Sequence, residues 1–557
     1  MKTDFLKNWI ICLLVPICLL LSLFISYEPA GEAHGYWAFS RITMESGLFI
    51  MPERSPLYTL YLIPFQLIGY PISVSIEYLA TTLITLISII VFSKRYIGLR
   101  WSILISILWI PFLQMNPPPV QKLALACSLF AVSLRLDKNQ YRWTLSYALL
   151  LMAYMFRSSY LLLLLLFLFW DIYNFYLKDN KALYLKKLKP RLSDSPLILI
   201  VAMFIIFGFL QSPHIWNNQH FTTITWFPGA DQGLMNASVI QSFNWRYIEN
   251  EFGTFIGKDF YFTNQELFGG ATTLWGAILS NPSYVFSHIY HNTFDLIYLI
   301  RNFIGFLPMP KIVSYFIFLL GLWGLVMAFF QDRSGHLRIF ILGSVIMLGT
   351  LILIIPKVRY LFPLIPLLII SSTWIASKLK KYISRIKLTN PYKVFISGVS
   401  VFIILCLFSP SPIEGWVGNG KDIVKNIWTE RRVLTSKKSL KSHVSKIENL
   451  FSSCNGIMAY ESLFLVGNTQ LEIDKIVDMW EIPPFGSYAN NQASYNGLSP
   501  ERVDCLLISD ALASNVGMGT NIQMRYQNYI LPYVETLGRL GAKRIELTDF
   551  GYAIVLR

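Results

Sequence analysis

Residues 158–191 read SSYLLLLLLFLFWDIYNFYLKDNKALYLKKLKPR, an apolar run of about twenty residues with a single acid, followed at once by a lysine-rich tract. A helix of that length spans about 30 Å, the thickness of bilayer hydrocarbon. Basic residues directly after an apolar run mark the side kept in the cytoplasm. The same alternation recurs. Short basic links carry Lys94–Arg95–Arg100 and Arg135–Lys138–Arg142, and a longer one runs from Lys378 to Lys393. Every lysine-rich link falls on one side if the spans are taken at about 9–27, 71–93, 101–113, 121–135, 143–156, 158–177, 195–212, 311–330, 339–355, 361–377 and 393–408. The reading is an all-α polytopic membrane protein with about eleven transmembrane helices.

Composition agrees. The chain has 557 residues, 54% hydrophobic and only 14% charged, whereas a soluble chain carries about a quarter charged residues. A net charge of +15 would suit a polyanion, but its confinement to short links makes it a marker of orientation, so nucleic acid is not an expected partner. Lys2 and Lys7 precede the first run and place the N-terminus in the cytoplasm. That run, Trp9–Tyr27, resembles a signal peptide but is long and lacks a small-x-small cleavage site, so a retained helix is expected.

Two stretches depart from the pattern. One is the long mixed segment 213–310, placed outside and partly lying on the membrane. The other begins near 410, where composition turns to that of a small soluble domain. The runs 456–460, 503–509, 544–548 and 552–556 are β-rich, 522–540 has helical spacing, and Gly541 stands where a C-cap belongs. The expected division is 1–410, a membrane domain, and 411–557, an extracytoplasmic α/β domain. Outside the cytoplasm, Cys454 and Cys505 are able to pair.

The polar loop that follows the first span is EPAGEAHGYWAFSRITMESGLFIMPERSPL, residues 28–57, within an outer loop reaching about residue 70. It holds Glu28, Glu32, His34, the pair Tyr36–Trp37, Arg41, Glu45, Glu53 and Arg54, more than a connection needs. A helix-sized stretch at 33–48 separates Glu32 from Arg54, and 57–70 suits a segment lying at the outer interface. A carboxylate near hydrocarbon is a strengthened base, and an arginine fork pairs two phosphate oxygens. Solvated loop charges are the alternative. His34 is close enough to Glu32 to orient a substrate. His288 and His291, three apart, share a helix face, but no carboxylate or cysteine accompanies them as metal ligands.

At these residues the chain resembles the GT-C glycosyltransferases, in particular the bacterial branch related to the lipid A aminoarabinose transferase and the protein O-mannosyltransferases. Glu32, Tyr36, Ser46–Gly47 and Arg54–Ser55–Pro56–Leu57 follow the order of that family's first outer loop. A second match is Lys357–Val358–Arg359–Tyr360–Leu361–Phe362–Pro363, and Arg157 falls at a further basic position. The resemblance implies transfer of a sugar from a polyprenyl-phosphate donor to a lipid, glycan or protein acceptor on the outer face of the inner (cytoplasmic) membrane. It implies Glu32 as base and Arg54, Arg359, Lys357 and Arg157 as phosphate ligands, with Tyr36, His34 and Glu53 lining the site. The chain departs from the family in its lone Glu32 and in the acid-free link 111–122, where Gln121 lies near the place of a second acid. No cofactor is expected, and a divalent metal lacks the carboxylates it would want. A transporter or flippase, or a polymerase of lipid-linked glycans, is the competing reading.

Overall fold

The computed structural model describes residues 32–46, 56–68, 72–115, 119–136, 142–177, 266–271, 274–305, 311–332, 335–353 and 361–383 of the first part. Of the second it describes 443–459, 465–466, 469–472, 475–478, 503–509, 526–547 and 551–556, with Phe243 and Glu501 singly. The runs 9–27, 195–212 and 393–408 lie outside the described residues.

The first part is helical. Helix α1 is Glu32–Ser46, α2 Pro56–Gln66, α3 Ile72–Ile97, α4 Leu99–Met115, α5 Pro119–Arg135, α6 Arg142–Phe156 and α7 Leu161–Leu177. After them come α8 Leu274–Ser280, α9 Pro282–Gly305, α10 Lys311–Gln331, α11 His336–Gly349 and α12 Leu364–Ile383. Among the described residues, two stretches are long and apolar enough to cross a membrane, Ile76–Ile97 and His336–Leu353. Leu145–Phe156, Leu161–Asn174, Leu319–Gln331 and Leu364–Lys378 are apolar but shorter.

Local chemistry sets the boundaries. Helix α3 ends on Lys94 and Arg95, cations suited to a helix C-terminus, and Gly98 follows at a φ of 81°. A side chain there would strain the backbone, so Gly98 lets α4 start one residue later. Asn281 caps α9 by accepting the Tyr284 N–H at 3.2 Å, with Pro282 at the first helical position. The composition of 213–310 reads as turn-rich, yet 274–305 is nearly all helix, because Phe286, Tyr290, Phe294 and Ile297 recur at helical spacing and form an exposed apolar stripe.

Helix α5 packs against α3 and α6, α3 against α4, and α10 against α12. Small residues allow the close approaches. A Cβ added at Gly324 would come within 2.8 Å of Ile375 and Ser371, so α10 and α12 meet there as they do only over glycine. The Ser371 hydroxyl donates to the Gly321 carbonyl at 2.6 Å, and Ser93 bonds Thr373 at 2.9 Å between α3 and α12.

The second part is a small α/β unit. Its sheet runs β2-β1-β3-β5-β4, with β1 Ile457–Ala459, β2 Ile476–Asp478, β3 Cys505–Ser509, β4 Lys543–Leu547 and β5 Gly551–Val555. Strands β1, β2 and β3 are parallel, and β5 runs antiparallel to both its neighbours, β3 and β4. Alternation along β3 divides the core: Leu506 and Ile508 face one layer with Tyr533 and Leu537, while Cys505 and Leu507 face the other with Ile447 and Phe451. Helix α13, Leu531–Arg539, ends in a Schellman turn. Ala542 N–H bonds the Leu537 carbonyl, Gly541 N–H bonds that of Gly538, and Gly541 has a φ of 90°. The C-cap expected at Gly541 is therefore present. Cys454 and Cys505 form a disulfide, their Cα atoms 6.1 Å apart, tying the helix at 443–451 to β3.

Candidate functional site

Helix α1 begins at Glu32. The helical stretch expected at 33–48 is thus found, shifted by a residue or two. The side chains of Glu32 and His34 lie outside the described residues, as do Glu53, Arg54, Lys357 and Arg359. Tyr36 and Arg157 are described.

Tyr36, Trp37, Ala38, Ser40 and Arg41 are buried along α1. Helix α2 lies against this face. Gln66 Nε2 donates to the Trp37 carbonyl at 2.8 Å and to Ser40 Oγ at 2.7 Å, fixing the two helices in register. Tyr36 meets Tyr58 of α2 edge to face, with ring centroids 4.9 Å apart. Tyr58 then donates its hydroxyl to Glu77 Oε1 at 3.1 Å, and Thr81 donates to the same oxygen at 2.7 Å. Tyr61 pairs with the Thr81 hydroxyl at 3.0 Å.

Glu77 is fully buried, and its second oxygen, Oε2, has no hydrogen-bond partner. Lys122 of α5, also buried, interacts electrostatically with it, sits over the Tyr78 ring at 4.5 Å and reaches Thr82 Oγ1 at 3.5 Å. An ionised pair in such a setting is costly to build and is tolerated when each charge has a partner. Sequence reasoning passed over both residues. A glutamate inside the run 71–93 was the signal available, since ionisable groups within apolar spans mark function by default.

Arg157 follows α6 directly, and its guanidinium lies 5.6 Å from the centre of the Phe362 ring. Tyr160 stacks on the same ring at 6.0 Å. Leu57, the last residue of the Arg54–Leu57 motif, packs on Leu151, Tyr154 and Met155 near the end of α6. Two stretches singled out separately in the sequence therefore enter the described structure beside the end of α6 that leads into Arg157: one three residues after Arg54, the other three after Arg359.

A second buried ionic group joins α5, α6 and α7. Arg135 Nη1 bonds Asp171 Oδ2 at 2.7 Å and its Nε bonds Ser146 at 2.9 Å, while Tyr147 donates to Asp171. The Arg135 guanidinium is sandwiched 4.3 Å from the Tyr147 ring and 4.6 Å from that of Phe167. His288 and His291 both fall on α9, but His288 is buried against Phe243 and bonds Asn292 at 2.7 Å, whereas His291 is exposed. Among the described residues, the one grouping of metal-type ligands is Cys454, Asp504 and Cys505. The disulfide takes both sulfurs, and Asp504 accepts the N–H groups of Asn455 and Gly456 at 2.9 to 3.0 Å, so this set does not suit a metal.

No family model matches the chain, and neither a curated protein nor a solved structure does.

Proposed function

We propose that the chain is a multi-pass glycosyltransferase of the inner (cytoplasmic) membrane, with a GT-C-like catalytic part and its α/β domain on the outer, periplasmic or extracellular side. It moves a sugar from a polyprenyl-phosphate carrier to a lipid, glycan or protein acceptor. The observation that carries the reading is the packing of Leu57 and Phe362 around the end of α6 that leads into Arg157. Leu57 lies three residues after Arg54 and Phe362 three after Arg359, so this packing supports a reading in which Arg54, Arg157 and Arg359 serve together as phosphate ligands. Several arginine forks beside one leaving phosphate would neutralise the charge that develops as the glycosidic bond breaks.

In this reading Glu32 takes the proton from the acceptor hydroxyl, the oxygen attacks the anomeric carbon with inversion, and polyprenyl phosphate departs to the arginines. Tyr36, on the same helix one turn further on, lines the donor side with His34, and Lys357 and Glu53 stand beside the basic stretches. No cofactor takes part. Wild type and Glu32→Gln in nanodiscs, supplied with lipids bearing polyprenyl-phosphate sugars, test this by mass spectrometry of free polyprenyl phosphate. Release by wild type that falls at least a hundredfold in Glu32→Gln is the expected result. An active Glu32→Gln enzyme removes Glu32 as base.

A transporter of lipid-linked sugars is the second reading, favoured by the buried charges Glu77, Lys122, Arg135 and Asp171, since paired charges inside a bundle are what a pathway through it uses. Donor binding without any release, equal in both proteins, selects it.

A further inference from the structure

Arg41 is buried in the last half of α1, and it reaches residues more than four hundred positions away. Its Nη1 donates to the carbonyls of Val466, at 3.0 Å, and Thr469, and its Nη2 to that of Leu471 at 2.7 Å. Its Nε is held by Glu45, one turn along, at 2.6 Å. All three nitrogens of the fork are thus engaged, three bonds going to the α/β domain and one back to α1.

The carbonyls belong to a segment that is itself fixed. Leu465 and Leu471 are buried in the same core layer as Cys505 and Leu507 of β3, and Thr469 bonds back to the Leu465 carbonyl through both its N–H and its hydroxyl. Backbone carbonyls at a chain turn are unsatisfied unless something donates to them. Here a single guanidinium does so, and removing it would take this donor from three backbone acceptors at once.

We infer that Arg41 is a positioning residue that fastens the α/β domain to α1, making that domain the fixed roof of the outer site rather than a tethered appendage. The helix has two working ends. Its first two turns carry Glu32 and Tyr36, and Arg41 stands nine residues beyond Glu32, about 13 Å along the axis. A rigid helix held at one end by the α/β domain, and against α2 through Gln66, keeps its other end in place over the spans. The fastening follows from these contacts alone, while its consequence for transfer rests on the function proposed above.

The test uses the full chain in nanodiscs, as wild type, Arg41→Lys and Arg41→Ala. Arg41→Lys keeps the charge but loses the fork, so it reads the same contact if Arg41→Ala does not fold. Backbone hydrogen exchange is followed by mass spectrometry. The expected result is exchange at least tenfold faster in both variants over 32–46 and 465–472, with β3 and α3 amides unchanged. Turnover falls about tenfold with the KM for the polyprenyl-phosphate donor unchanged, because the helix is displaced rather than the donor released. Faster exchange over 465–472 alone, with 32–46 unaffected, overturns the proposal: Arg41 would then only cap its partner segment. Unchanged exchange in both segments overturns it equally. Exchange that responds as expected, in a protein whose wild type releases no polyprenyl phosphate, sustains the fastening and removes the transferase instead.

Discussion

Glu77 holds two hydroxyl donors on one oxygen, and Lys122 supplies the compensating charge from the neighbouring helix. Replacing it with alanine strands both hydroxyls and leaves the ammonium without its counter-charge, a change that costs about 3–5 kcal/mol for a buried pair. Glu77→Gln keeps an acceptor for Tyr58 and Thr81 and should cost about half as much. Thermal unfolding in detergent checks the order, and Lys122→Met combined with Glu77→Gln should recover part of the loss of either single change. Strictly additive losses would mean that the two charges do not interact. A different signature belongs to the α/β domain. The Tyr533 hydroxyl donates to the Val503 carbonyl at 2.5 Å, and burial pushes its pKa from 10 up to about 12. Burial likewise raises Tyr552, helped by Tyr526 beside it. The unfolded phenols ionise near 10, whereas the folded ones resist, so the stabilising effect of Tyr533 is complete below pH 10 and is lost as pH rises through about 12. Alkaline unfolding of this domain, followed by near-ultraviolet absorbance, should be shallower in Tyr533→Phe.

At the scale of elements, Arg135 and Asp171 join α5, α6 and α7 at one point. Asp171→Asn leaves a buried guanidinium without its counter-charge and should lower stability by about 3–5 kcal/mol, while Arg135→Met with Asp171→Leu should fall well short of that loss, because an apolar pair needs no compensation. A double variant no better than Asp171→Asn would place the value of the pair in its bonds to Ser146 and Tyr147. Elements written in local chemistry were legible in the sequence. Helix α1, the strands β1, β3, β4 and β5, and the left-handed Gly541 all declare themselves through periodicity or punctuation. Strand β2 does not, since three residues in a polar neighbourhood carry too little alternation to stand out. Glu77 was hidden for the opposite reason: the apolar run around it is so strong that one glutamate hardly changes its average. Arg41 stood out among the charges of the first loop, but its role could not be read. Its partners are backbone carbonyls, which have no signature, at separations of 425 to 430 residues.

The whole molecule then poses a question of sides. The orientation proposed above puts 178–194 in the cytoplasm and the C-terminal domain outside, and a Cys454–Cys505 disulfide suits an oxidising compartment. Arg41 makes the assignment of the α/β domain and that of the first loop a single question, because a buried contact between them forbids their lying on opposite faces of a bilayer. Orientation is therefore testable at two positions. Arg539 is exposed at the end of α13, so Arg539→Cys offers a thiol on the domain surface. Lys181→Cys places one in the basic tract. In sealed, right-side-out membranes, a membrane-impermeant maleimide should label Arg539→Cys at once and Lys181→Cys only after the seal is broken. The native pair should add label only after reduction. Labelling of Lys181→Cys from outside would invert the arrangement and put the Glu32 loop in the cytoplasm. Sugar donors there are soluble nucleotide conjugates as well as lipid-linked ones, so the lipid-donor proposal would lose its ground together with the topology.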